Sequence, residues 1–216
     1  MTAARSVEAV IASGRLSPAE QIKIAETLAA MYFKAQDYPK AVAWASRYFK
    51  GGGADPQMRM LEVRSLYLAE DFASAASKLR GILDASEKQG AAPSLDVLQL
   101  LASCYIKQND GAGYVFALEK LLAYYPKKEY WADAIRRVEI KPGFSDQLML
   151  DVLRLLQATG NLTTAAQYTA MAQLALKAGY PAEAKRVIGL GFAAGVLGAG
   201  LALVLADLFG PAVTPI

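Results

Sequence analysis

A turn that recurs after 34 residues constrains this chain more than any other feature. Asp37-Tyr38-Pro39-Lys40-Ala41 is answered by Asp71-Phe72-Ala73-Ser74-Ala75, and Tyr32, just before the first turn, is answered by Leu66 before the second. Self-similarity at such a period marks stacked supersecondary units, none of which can cover its own apolar face alone. The unit itself is legible. Ser17-Pro18-Ala19-Glu20 reads as a capping box with proline at the first helical position. Ile22, Ala25, Leu28, Ala29 and Tyr32 follow at three- and four-residue spacing, one apolar stripe of a helix. Asp37-Tyr38-Pro39 breaks that helix, and Ala41, Val42, Trp44, Ala45 and Tyr48 mark a second. Gly51-Gly52-Gly53 ends it, since each glycine costs a helix about 1 kcal/mol relative to alanine. The unit is a helical hairpin.

Further copies follow with changing offsets. Leu101, Ala102, Tyr105 and Asp110 stand where the first copy has Leu28, Ala29, Tyr32 and Asp37, and a polar loop over 86–94 absorbs the surplus before them. Tyr125-Pro126 closes this third copy. The fourth, with Leu153, Leu156, Asn161 and Ala165 in the matching places, comes one and a half periods later; an extra helix near 129–138 fills the half, and Lys141-Pro142-Gly143 breaks the chain after it. A partial fifth unit covers 171–188. The resulting plan is an N-terminal helix over 1–16, repeats near 17–50, 56–85, 94–126 and 145–178 within a body of 17–188, and an apolar segment over 189–216.

These residues resemble the tetratricopeptide repeat family, as found in bacterial proteins, over most of the chain. The carriers are the small-plus-aromatic pairs Ala29 with Tyr32 and Ala102 with Tyr105, and the turn from Asp37 to Ala41. The resemblance implies an all-α fold, a right-handed α-α superhelix of antiparallel helix pairs, and a protein-interaction scaffold that binds a peptide or protein in a concave groove. Val63 and Leu153 replace expected small residues, and Tyr114 replaces an alanine, so looser packing is expected there. The extra helix implies an interruption near 126–144. Some members of the family clamp acidic chaperone tails with lysines and asparagines; the corresponding slots here hold Glu26, Ala30, Leu61, Asp96 and Leu100, so that clamp is missing.

By the same correspondence, the first helix of each pair lines the groove. One row of slots holds Ala30, Arg64, Ser103 and Arg154, the next Phe33, Tyr67, Ile106 and Gln157, and a third Lys34, Leu68, Lys107 and Ala158. Phe33, Lys34, Arg64, Tyr67, Lys107 and Arg154 are the expected binding residues, with cations for acidic groups of a partner and aromatic rings for anchoring.

Composition narrows the function classes. The chain is 54% apolar and 20% charged, which excludes a disordered polymer. A net charge of +3 makes a weak field, so nucleic acid is not an expected partner. Histidine is absent, which removes the commonest general base and metal ligand. No phosphate-cradling glycine loop occurs, and Gly189 and Gly191 lie in an apolar run with no preceding strand. No enzymatic activity, cofactor or metal is expected. The single cysteine, Cys104, sits in an apolar helical run and reads as a core residue. The aromatic and cationic stretch 124–131 reads as a corner between repeats with Trp131 tucked into the core.

The C-terminal end departs from a solenoid plan. Residues 187–206 carry no charge, long enough for a membrane helix, and Gly191 with Gly195 forms a small-x-x-x-small pair. A buried cap on the last repeat, with the turn over 195–200, a membrane anchor, and a homodimer surface are the alternatives. No apolar stretch of signal-peptide length opens the chain, so a cytoplasmic location is expected, membrane attachment or export of a trimmed form being the alternatives.

Overall fold

The computed structural model describes residues 16–198; the expected N-terminal helix, but for its last residue, and the segment from 199 onward lie outside the described residues. Among the described residues the protein is all-helical, with ten α-helices, one short 3-10 turn and no strand. The chain divides into two compact units, Met1–Tyr124 and Tyr125–Ile216. The first contains α1 (Pro18–Lys34), α2 (Tyr38–Lys50), α3 (Pro56–Leu68), α4 (Phe72–Lys88), α5 (Leu95–Lys107) and α6 (Gly111–Tyr124). The second contains α7 (Lys128–Glu139), the 3-10 turn Asp146–Leu148, α8 (Met149–Ala158), α9 (Ala165–Lys177) and α10 (Pro181–Ala193). Within each unit every helix packs on the next, and α1 also packs on α3.

Helix ends are fixed by the residues read from sequence. Ser17 and Glu20 form the capping box, with the Glu20 carboxylate accepting from Ser17 N at 2.8 Å; that bond and the Ser17 hydroxyl hold the Glu20 carboxyl below its ordinary value. One backbone motif closes eight of the ten described helices: Gly52, Gly90 and Gly195 build it at the ends of α2, α4 and α10, and five further helices end in the same way. Gln36, Glu70, Asn109, Gly160 and Gly179 all take positive φ, between 55° and 83°. In each, the next residue's N–H reaches back to a carbonyl five positions earlier: Asp37 to Tyr32 (2.9 Å), Asp71 to Leu66 (2.9 Å), Asp110 to Tyr105 (2.9 Å), Asn161 to Leu156 (2.7 Å) and Tyr180 to Ala175 (2.8 Å). This is the Schellman closure of a helix C-terminus. In the first three turns the aspartate then caps the following helix, accepting from Lys40, Ser74 and Gly113 backbone N–H at 3.3, 3.1 and 2.9 Å.

Burial follows the stripes. Ala25, Leu28, Ala29, Tyr32, Ala41, Trp44, Ala45, Tyr48 and Met58 form one cluster in the first unit. Val63, the expected misfit, is completely buried, and Leu153 is 4% exposed, so both are ordinary core residues rather than points of splay. Two glycines are needed for close approach. A Cβ on Gly53 would stand 2.3 Å from the Tyr48 ring, and one on Gly113 would stand 2.3 Å from the Tyr105 ring. One carboxylate is buried: Glu62, 2% exposed, accepts from Ser46 Oγ at 2.8 Å and pairs with Lys78 Nζ at 2.9 Å, tying α2, α3 and α4 together.

The sequence reading needs three corrections here. Helix α4 runs on to Lys88, so the loop expected over 86–94 is shorter; Ser86 stays helical by donating to the Ile82 carbonyl at 3.1 Å. Ala165 is not the counterpart of Ala41. The fourth turn is three residues longer, Thr164 caps α9 through a box with Gln167, and the residue buried at the equivalent place is Tyr168. Trp131 is half-buried rather than in the core, where Ile135 is the buried residue of α7. The described part of the uncharged run 187–206 turns at Gly195, where one of the three readings placed the turn of a buried cap. Helix α10 ends at Ala193, Gly195 takes φ +70°, and Val196 and Leu197 N–H both reach back to the Gly191 carbonyl. Val187 and Ile188 are fully buried, and Leu197 folds over Gly191 to join the core of the second unit. Among the described residues no helix is long and apolar enough to cross a membrane.

Candidate functional site

The six expected groove residues fall into three groups. Phe33 and Arg64 line a shared depression in the first unit. Helix α1 supplies Glu26, Ala30 and Phe33; α3 supplies Pro56, Gln57, Met58, Met60, Leu61 and Arg64; its N-cap adds Asp55. Its volume is about 640 Å³. A second depression of about 320 Å³ shares Met60 and Arg64 and continues onto α5 through Asp96, Gln99, Leu100 and Ser103. The two form one trough across the first helices of three successive pairs. These are first helices that the repeat register selects, and Ala30, Phe33, Arg64 and Ser103 are the four of its slots that line the trough.

Tyr67 is placed beside this trough as a strut. Its hydroxyl shares a 2.7 Å hydrogen bond with Ser103, and its ring meets Phe72 edge-on at 5.3 Å. Lys34 and Lys107 are exposed in the last turns of α1 and α5, where a cation offsets the negative end of the helix dipole, and neither lines the trough. Two apolar residues of the same slot rows, Leu68 and Ile106, are 45% and 60% exposed. Phe33 is half-buried, its ring edge-on to Tyr38 at 5.9 Å.

Arg154 belongs to the second unit and is fully engaged there. Its guanidinium grips Glu183 through two hydrogen bonds, 2.8 and 2.6 Å, reaches Asp151 at 2.9 Å, and lies 5.2 Å from the Tyr180 ring. The Arg154 bonds hold the Glu183 carboxyl below its ordinary value, and the two carboxylates raise the arginine. Arg64, in turn, pairs with Asp96 at 3.3 Å. Both partners are largely exposed, so this pair contributes little stability, about 1 kcal/mol at most.

The trough is therefore lined by three carboxylates, Glu26, Asp55 and Asp96, against one guanidinium. Sequence reasoning had Glu26, Leu61, Asp96 and Leu100 only as slots where a known clamp is missing, and it passed over Met58, Met60 and Asp55. A signal existed: Met58, Met60 and Leu61 open α3 directly after an Asp-Pro cap, on the helix already assigned to the groove.

Elsewhere the polar chemistry is structural. Glu87 accepts from Lys120 at 2.6 Å and Tyr124 at 2.8 Å, which bridges α4 to α6, lowers the Glu87 carboxyl and raises the Tyr124 phenol. Burial pushes the Cys104 thiol up to about 11, so it is a protonated core residue at neutral pH. Among the described residues no group of three or more Cys, Asp or Glu side chains is placed to hold a metal ion.

Fold and trough together define an all-helical protein of consecutively packed helices with an extended face on the first helices of the pairs. No protein-family model matches the chain, and no curated protein is significantly similar to it in sequence.

Proposed function

We propose that this chain is a protein-interaction scaffold of the tetratricopeptide type, a right-handed superhelix of antiparallel helix pairs that binds a peptide segment of a partner on the α1, α3 and α5 face. The observation that carries this reading is the trough itself. It runs across three first-of-pair helices and is lined by residues in corresponding slots, among them Ala30, Arg64 and Ser103. Repeat architecture makes such faces by construction, because equivalent positions of successive units lie side by side. The closure followed by a capping aspartate, at Gln36-Asp37, Glu70-Asp71 and Asn109-Asp110, supports the repeat assignment. Architecture sets the binding mode and leaves the partner's identity to the side chains.

Affinity capture from the source cell's lysate tests the reading, with the wild-type chain and an Ala30→Arg variant as paired baits. Ala30 lines the trough, so the long side chain fills it. A partner retained by the wild type and lost by the variant is the expected result. An identical set of retained proteins would remove the face from consideration.

A further inference from the structure

Resting on that interaction reading, we infer that the face takes an extended segment rich in lysine or arginine alternating with large apolar side chains, and discriminates against an acidic one. Two features point this way. The first is charge. Arg64 is already paired with Asp96 at 3.3 Å, Glu26 has no ion-pair partner among the described residues, and Asp55, whose carboxylate caps α3 by accepting from Gln57 N at 2.8 Å, adds a third carboxylate at the rim. An incoming acidic segment would meet Glu26 and Asp55 and compete with Asp96 for the one guanidinium that lines the trough. A cationic segment would meet Glu26, with Asp55 beside it. Complementarity of this kind steers encounter and rejects wrong partners more than it adds raw affinity.

The second feature is the floor. Half-buried Met60, Leu61 and Leu100 provide apolar surface between the acids, over the buried Met58, and methionine adapts to varied side chains because it is unbranched and polarizable. Neighbouring packed helices lie roughly 10 Å apart, so the run from α1 to α5 is about 20 Å, the length of about six extended residues. Successive side chains of an extended segment point to opposite sides, so alternate residues face the floor while those between them point outward, and only a long lysine or arginine side chain there bends down to the rim acids. The alternating pattern follows from that geometry.

The test uses the full chain and three fluorescein-labelled decapeptides with the same Leu, Met and Phe at alternate positions and Lys, Gln or Glu between them, read by fluorescence anisotropy. The lysine peptide is expected to bind about tenfold tighter than the glutamate peptide at low salt, with the gap closing as added salt screens the rim. Glu26→Lys, at an exposed helix position, is expected to weaken the lysine peptide by about fivefold and to narrow the gap. Ala30→Arg is expected to remove binding of all three. If the glutamate peptide binds as tightly as the lysine peptide, or if Glu26→Lys leaves the lysine peptide unchanged, the cationic assignment is wrong. Loss of binding in Ala30→Arg would then still uphold the interaction face. Binding that survives Ala30→Arg, or no binding by any peptide, overturns both.

Discussion

The two units use the same backbone closure with different residues around it. In the first unit Gln36, Glu70 and Asn109 hold the left-handed position before α2, α4 and α6, and an aspartate follows each to cap the next helix, while Gly52 and Gly90 hold it at the ends of α2 and α4. In the second unit the position is held by Gly160 and Gly179, and no aspartate follows: Thr164 caps α9 after a longer turn, and Tyr180 opens α10 without a side-chain cap. The first unit also places polar atoms between its helices, as in Glu62 with Ser46 and Lys78. In the second unit the described core is apolar, and its principal charged pair, Arg154 with Glu183, lies nearer the surface. The difference teaches that the repeating object is the backbone closure. Side chains around it are free to change so long as one residue accepts positive φ and some donor-acceptor pair starts the next helix.

The largest expected effect tests close packing in the first unit. Gly113→Ala drives a Cβ into the Tyr105 ring and is expected to cost about 2–3 kcal/mol, measured by denaturant unfolding; Gly81→Ala, on an open helix surface, is expected to gain about 0.5–1 kcal/mol. Equal effects would show that the ring approach is not a constraint. Lys78→Ala leaves the buried Glu62 carboxylate with Ser46 alone and is expected to cost about 2 kcal/mol. A change under a few tenths would mean that Ser46 suffices.

The turn comparison is sharpened by exchange. Gly160→Ala forces a Cβ into the left-handed region and is expected to cost about 1 kcal/mol, whereas Glu70→Gly relieves that strain and is expected to gain about 0.5 kcal/mol. Thermal unfolding monitored by circular dichroism distinguishes them by sign. The smallest effect concerns acid. Because Arg154 lowers the folded Glu183 value, its contribution is complete above the ordinary carboxyl value of 4.5 and is lost as pH falls through the lowered folded value. Glu183→Gln is expected to flatten that part of the stability-pH curve, and an unchanged acid limb would remove the pair from the account.

Local features were legible in the sequence and long-range ones were not. Proline and aspartate or serine at helix starts, three glycines after α2, and the Leu28-Ala29-Tyr32 stripe all act within a few residues of themselves, so helix positions and the break near 126 could be read directly. The registration of Ala165 failed because alignment by residue type ignored Thr164-x-x-Gln167, itself a capping signature. The turn over 195–200 stayed one alternative among three because an uncharged run does not show where its helix ends. The groove rows include Phe33 and Arg64, which line the trough, but could not give charge state. Arg64 meets Asp96 and Arg154 meets Glu183 across about one repeat, and a slot table lists positions without saying which neighbours neutralise each other.

Methionine methyl resonances test the central claim most directly, since Met58 and Met60 line the trough in the first unit while Met149 and Met171 belong to the second. With selectively labelled methionine and the lysine decapeptide as titrant, binding on the α1, α3 and α5 face is expected to shift Met58 and Met60 in a saturable way and to leave Met149 and Met171 in place. Shifts confined to Met149 and Met171, or no change at Met58 and Met60 while anisotropy reports a bound peptide, would contradict the assignment of this face.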